Sequence, residues 1–214
     1  MKIFVTDNDG VIFDRMPIYR TAFKKLVSEY GADSNIAAKY FYESAGESID
    51  NQFSEIFKRT GVVVSDEEIL NVIVPNFFRL ADVTETPIFP KAAETLVEIK
   101  KRNYHIFVTS GSNTDDLERL WKTHSLPYDM ILGSDEIKKG DRHIELFAEY
   151  TGQSLGNFCQ GTYFIGDGKS DMALAKRNRL QAIGITNTVT ADKLFEGGAD
   201  HVISHIEEIL DFLP

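Results

Sequence analysis

Short runs rich in β-branched and aromatic residues alternate with stretches of helical spacing along most of this chain, and that alternation narrows the fold more than any other feature. The runs are Lys2–Thr6, His105–Thr109, Asp129–Leu132, Thr162–Ile165, Ala182–Ile185 and His201–Ile203. Helical patterns lie between them at Lys91–Arg102, Thr114–His124, Asp141–Tyr150, Ser170–Arg177 and Ala191–Phe195. Strand and helix in alternation predict an α/β fold with a mostly parallel sheet covered on both faces, because each crossover lays a helix against the sheet. Ligands of such sheets gather at the carboxyl ends of the strands. Asp7, Ser110 and Asp167 each fall at such an end, so chemistry is expected there.

One interval breaks the alternation. A parallel crossover needs about a dozen residues, yet roughly 70 separate Asp14 from Phe89. Those residues are not loop-like. Ile18, Ala22, Phe23 and Leu26 recur at helical spacing, as do Ile49, Phe53, Ile56 and Phe57. A third helix is expected from Ser65, where Ser65 and Glu68 form a capping-box pattern ahead of Ile69, Val72, Ile73 and Leu80; Pro75 should kink it. The expected organisation is a catalytic core of residues 1–14 and 86–214, with residues 15–85 inserted as a helical cap. Asp14–Pro17 would form part of its hinge.

At 214 residues the chain can hold one domain with a full core, or a core plus a small second lobe. Its 23 basic and 33 acidic residues leave a net charge of −10. That balance argues against a general nucleic-acid or anionic-membrane partner, since both need basic surface. It leaves room for a local cationic pocket that takes a small phosphate. Cys159 is the single cysteine, so no internal disulfide forms and a reducing compartment is natural; beside Phe158 it reads as core filler. With no signal-peptide pattern and no apolar stretch of spanning length, the expected location is the cytoplasm. The expected state is a monomer or weak homodimer.

The first strand candidate runs directly into Asp7-Asn8-Asp9-Gly10-Val11. Two carboxylates two residues apart, released into a glycine turn, suit metal-assisted phosphoryl chemistry. One can attack phosphorus or bind a cation while the other handles a proton, because a neighbouring charge pushes their pKa values apart. The competing reading is an ordinary polar turn. A second acidic site lies in Gly166-Asp167-Gly168-Lys169-Ser170-Asp171, where a strand delivers Asp167 and a helix opens near Asp171. Converging carboxylates need a cation, and oxygen-only ligands point to Mg²⁺ rather than zinc. Asp171 has a rival role as a helix cap or first-turn acid.

Between these sites, His105–Thr109 ends in Ser110-Gly111-Ser112-Asn113. This turn can offer a hydroxyl and backbone amides to phosphate oxygens, the more so with a helix beginning just beyond; Asn113 or Thr114 could instead simply cap that helix. Ile137-Lys138-Lys139-Gly140-Asp141 adds lysines, one of which, reaching the site, would offset the carboxylates. Two other motif readings fail on spacing. Gly168-Lys169-Ser170 ends like a nucleotide P-loop, but the required earlier glycine position holds Tyr163. Asp7-Asn8-Asp9-Gly10 resembles a calcium loop whose first ligand would have to be Val5 and whose last Met16.

Taken in order, DNDGV, a strand ending in TSGS, KKGD and GDGKSD resemble the four motifs of the haloacid dehalogenase-like superfamily of phosphohydrolases, across essentially the whole chain. Asp9–Asp14, Tyr19, Phe23, Tyr30-Gly31 and Phe89-Pro90 resemble its phosphoglycolate phosphatase-like branch, whose members carry a helical cap between the first two motifs. The resemblance implies a Rossmann-like three-layer core and a phosphate monoester of a small metabolite as substrate. It makes Asp7 the nucleophile that forms an aspartyl-phosphate, and Asp9 the general acid and base. Mg²⁺ would be held by Asp7, the Asp9 backbone carbonyl, Asp167 and Asp171. It places the phosphate-binding hydroxyl at Ser110, or at the neighbouring Thr109, with Gly111 supplying an amide. Lys139, rather than Lys138, becomes the catalytic and phosphate-binding cation, although the usual lysine-proline pair is absent. Two alternatives on the same scaffold are a sugar-phosphate mutase, similar to β-phosphoglucomutase, and a non-catalytic binding or regulatory protein.

Overall fold

Near-continuous apolar runs are what a strand buried on both faces requires. The first of them, β1 (Lys2–Thr6), is buried over all but its first residue. The computed structural model describes residues 1–44, 47–81 and 86–214. It contains a six-stranded sheet of β1 with β2 (Tyr104–Thr109), β3 (Met130–Leu132), β4 (Tyr163–Gly166), β5 (Gln181–Ile185) and β6 (His201–Ile203). Every pairing is parallel, and the spatial order is β3-β2-β1-β4-β5-β6. The strand order therefore reverses beside β1, where a doubly wound sheet opens a crevice at its carboxyl edge. Register places Thr6 opposite both Val108 and Ile165, so Asp7, Thr109 and Gly166 leave the sheet at one level.

Alternation along β2 distributes the core to both faces. Ile106 and Val108 join Leu96, Leu117, Trp121 and Ile165 in one fully buried cluster. Phe107 points the other way and packs its ring against Phe147 and Phe158, at centroid separations of 4.8 and 5.8 Å. Helices Ala92–Lys101 and Thr114–Thr123 thus supply side chains to the first face, and Asp141–Tyr150 and Leu155–Cys159 to the second. This is the three-layer α/β arrangement expected from the alternation. The short helix Leu155–Cys159, capped by Ser154, was not among the expected elements; it buries Phe158 and Cys159.

The chain divides into two compact units, Met1–Phe13 with Ile88–Pro214, and Asp14–Pro87. The domain boundary expected at residue 85 lies outside the described residues. The second unit is helical among its described residues: Met16–Glu29, Ser34–Glu43, Ile49–Thr60 and an interrupted helix from Asp66 to Ala81. Its core is aromatic, with Phe53 at 4.6 Å from Phe23 and 5.9 Å from Phe77 between ring centroids. Ser34–Glu43 is a fourth helix where three are expected. Its small Ala37 and Ala38 blur the apolar stripe, but Asp33 caps it, its carboxylate accepting the N–H of Asn35 at 2.7 Å. Ser65 caps as anticipated, accepting the Glu68 N–H at 3.1 Å. Pro75 is answered by a π-helical turn over Ile69–Ile73, in which the Val74 N–H reaches back to the Ile69 carbonyl. The extra residue in that turn precedes a proline that can give no N–H of its own. No helix among the described residues is long and apolar enough to cross a membrane.

Candidate active site

The parallel register converts distant sequence positions into one cluster. Asp7 leaves β1 with its N–H bonded to the Ile165 carbonyl at 3.0 Å, which locks the ends of β1 and β4 together. Asp167 follows β4, and Asp171 sits in the first turn of helix Lys169–Arg177. All three are buried, and each offers a carboxylate oxygen within 4.8 Å of the other two. Lys139 enters from the loop after β3. Its Nζ lies 2.9 Å from Asp7 Oδ1 and 2.6 Å from Asp171 Oδ1, while Lys138 is exposed. Asp171 has the helix-cap role weighed for it, Oδ2 accepting the Gly168 N–H at 3.1 Å, while its Oδ1 meets the lysine.

Asp9 is aimed differently. Its Oδ1 accepts from the Asn8 side-chain amide at 2.8 Å, and its Oδ2 from Ser112 at 2.8 Å and Ser110 at 3.3 Å. Asn8 is in turn fixed by the buried Trp121, whose indole N–H donates to Asn8 Oδ1 at 2.8 Å. The backbone turns back on itself here, with the Ile12 and Phe13 amides both on the Asn8 carbonyl. Gly10 makes this possible: its φ is +82°, and a Cβ there would stand 1.8 Å from Asp167 Oδ2. Only a residue without a side chain lets the turn lie against that carboxylate.

The electrostatics follow from burial. Desolvation pushes Asp7 up to about 7, with the neighbouring charges of Asp171 and Asp9 adding to it and Lys139 opposing. Asp167 is raised well above the usual carboxylate range, again chiefly by burial and then by Asp7 and Asp171. Burial alone would lower Lys139, but the Asp171 and Asp7 carboxylates outweigh it and its net shift is upward. Four acidic side chains against one ammonium leave an excess of negative charge that a divalent cation would relieve. The donor set is carboxylate oxygen throughout, which suits a hard ion such as Mg²⁺. The residues therefore fit that metal.

The structure separates the two candidate phosphate hydroxyls. Ser110 faces Asp9. Thr109 is turned away: fully buried, its hydroxyl is 2.8 Å from His143 Nδ1. Gly111 lies exposed in the same loop. The helix beginning at Thr114 does not present a bare N-terminus, because Asn113 accepts the Asp115 N–H at 3.0 Å and Asp135 the Thr114 N–H at 2.9 Å. The capping role weighed for Asn113 is the one it has.

Several supporting residues went unrecognised in the sequence. Ser112, which the sequence marks only as part of a turn, is a direct donor to Asp9. Thr188 donates to Asp167, and the Asn187 side chain to the Gly10 carbonyl at 2.8 Å, both from the loop after β5. A second hydroxyl, three residues past the strand's end, is the one local signal for Ser112. Nothing local to Thr188 or Asn187 marks them; only the sheet order brings that loop to the site.

The class is thereby defined as an α/β protein with a Rossmann-like parallel sheet that carries buried aspartates and a lysine at its switch point. Residues 4–185 match the family model described as haloacid dehalogenase-like hydrolase, and the chain belongs to that family. A relative named phosphorylated carbohydrates phosphatase, from Thermotoga maritima, is 23% identical over 225 residues, covering 100% of this chain and 98% of the relative. Among solved structures, a β-phosphoglucomutase from Clostridium difficile superposes with a TM-score of 0.77 at 19% identity, covering 98% of this chain and 93% of that one. A "predicted phosphoglycolate phosphatase" from Haemophilus somnus gives 0.77 at 14% identity, covering 100% and 98%. What the comparisons establish for this chain is membership of the haloacid dehalogenase-like hydrolase family and its fold.

Proposed function

We propose that this chain is a Mg²⁺-dependent phosphatase that hydrolyses the phosphate monoester of a small metabolite through an aspartyl-phosphate on Asp7. The observation that carries the reading is the division of labour at the end of β1. Asp7 is buried beside a lysine, while Asp9, two residues on, is held by three donors and aimed apart from it. A carboxylate of Asp7 attacks phosphorus as the bond to the leaving oxygen breaks, and Asp9 gives that oxygen its proton. Asp9 then takes a proton from water, which attacks the same phosphorus and releases Asp7. Lys139, with Ser110 and the Gly111 amide, neutralises and orients the phosphoryl oxygens. Asp7, Asp167, Asp171 and the Asp9 carbonyl would hold Mg²⁺, which when bound supplies positive charge to those oxygens.

The relative's name makes sugar phosphates the first substrates to try, followed by polyol, carboxylic-acid and nucleotide monophosphates. The test is a phosphate-release screen with Asp7→Asn as the blank. We expect Mg²⁺-dependent release by the wild type and none by the variant, with the fold retained. Full activity in Asp7→Asn removes the nucleophile assignment. A second reading, favoured by the likeness to a β-phosphoglucomutase, is transfer to another hydroxyl of a sugar phosphate. An isomeric sugar phosphate formed without free phosphate would select it.

A further inference from the structure

His143 is fully buried on helix Asp141–Tyr150 and takes no part in the steps above, yet both of its ring nitrogens are committed. Nε2 lies 3.1 Å from the Ile137 carbonyl, which can only accept, so Nε2 carries a proton. Burial depresses the imidazole's proton affinity and, together with the nearby Lys139 charge, outweighs the bond to Ile137. The ring is thus neutral, and Nδ1 accepts the Thr109 O–H at 2.8 Å. The imidazole therefore bolts the end of β2 to the loop that bears Lys139. A second bolt lies alongside, where Ser134 Oγ donates to the Ser110 carbonyl at 3.0 Å and accepts the Lys139 N–H at 2.9 Å.

We infer that His143 is a positioning residue for Lys139: from its helix, with the Thr109 hydroxyl steadying the ring, its Nε2–H holds the Ile137 carbonyl and so keeps the lysine-bearing loop where the ammonium spans Asp7 and Asp171. A lysine side chain is long and freely rotating, and its head is placed accurately only if its backbone is fixed first. The loop from residue 133 to residue 140 contains no regular helix or strand that could fix it. Its first half is tied to the loop after β2, through the Gly133 N–H on the Thr114 hydroxyl, the Ser134 N–H on the Ser112 carbonyl and Asp135 on the Thr114 N–H. Nearer Lys139, the imidazole holds Ile137 and the Ser134 hydroxyl holds the Lys139 N–H. The kinetic half of the test rests on the phosphatase reading; the structural half does not.

Two substitutions separate the ring's two bonds. In His143→Asn the shorter amide occupies the place of Nδ1 and keeps Thr109, but cannot reach Ile137. In His143→Gln the longer amide reaches the place of Nε2 and can donate to Ile137. With p-nitrophenyl phosphate, kcat should fall about 10- to 100-fold in His143→Asn, as for a catalytic group displaced by about 1 Å, while His143→Gln recovers most of it. Equal losses in the two variants, or wild-type kcat in His143→Asn, overturn the inference. A crystal structure of His143→Asn should show Lys139 Nζ moved away from the 2.9 Å it keeps to Asp7 Oδ1; an unmoved ammonium overturns the inference whatever the kinetics. Should His143→Asn not fold, Thr109→Val removes only the donor to Nδ1 and should displace the same ammonium by less. Wild-type protein that releases no phosphate counts against the phosphatase reading alone, because the lysine position still decides the role of His143.

Discussion

Replacing Gly10 with alanine should separate a backbone cost from a site cost, and both can be worked from the structure. Gly10 holds a φ of +82°, and an added Cβ would lie 1.8 Å from Asp167 Oδ2 and 2.9 Å from Thr188 Oγ1. Real Cβ contacts stay above 3.0 Å, so the Asp167 oxygen must retreat by about 1.2 Å, a misplacement on the scale that reduces rates about 100-fold. Left-handed backbone adds about 1–2 kcal/mol for any residue with a side chain. For a chain of this size that lowers the melting temperature by about 2–8 °C. Gly31 provides the control: its φ is +80°, but a Cβ there meets nothing within 4 Å. Gly31→Ala should therefore lose similar stability and keep its activity, whereas Gly10→Ala loses both. Phosphate release measured beside thermal melts reads the two effects separately. If Gly10→Ala is as active as Gly31→Ala, the close approach of the turn to Asp167 has no functional meaning and the reasoning fails.

Other consequences can be checked with the same material. Ser112→Ala removes a donor at 2.8 Å from Asp9; a hydrogen bond to a charged group is worth about 1.5–3 kcal/mol, so the melting temperature should fall by several degrees. The kcat should fall about tenfold or more if the bond also aims Asp9 in the transition state; an unchanged kcat would show that it does not. Asp7 ionises near 3.8 when unfolded and at about 7 when folded. The folded state therefore binds more protons between those values, and this group's contribution to stability declines as pH rises from about 4 to about 7. In EDTA, the melting temperature of Asp7→Asn should accordingly gain on the wild type across that window, and Mg²⁺ should close the gap near neutrality; a constant difference would show that Asp7 is not the group responsible. Trp121→Phe leaves the buried Asn8 Oδ1 without its indole donor, which should destabilise the fold by about 1–3 kcal/mol in urea unfolding. EDTA alone should silence the wild-type enzyme, and turnover surviving stringent chelation would count against the metal.

The parts of this site that could be read from the chain are those whose signal is local. A strand announces itself by consecutive apolar residues, and the polar residue that ends it must lie at the sheet's edge; Asp7, Ser110 and Asp167 were legible for that reason. Helix Asp141–Tyr150 was legible because its apolar positions recur at the helical period, and Ser65 because a cap acts on residues three positions away. Ser34–Glu43 was not, since two alanines weaken the stripe and tertiary packing supplies the burial instead.

The chain alone determined the strands, most of the helices, their order and the acidic residues that terminate β1 and β4, because backbone preference and side-chain period act over a few residues. Only the tertiary structure decided which of those residues meet. The sequence left Thr109 and Ser110 as rivals for one role, and the fold parts them by burying the first against a histidine 34 positions away. It likewise carries Thr188 and Asn187 from beyond β5 to Asp167 and Gly10, and seats Lys139 between two carboxylates. Sheet order and strand register set those meetings, and neither is written in any short stretch of sequence.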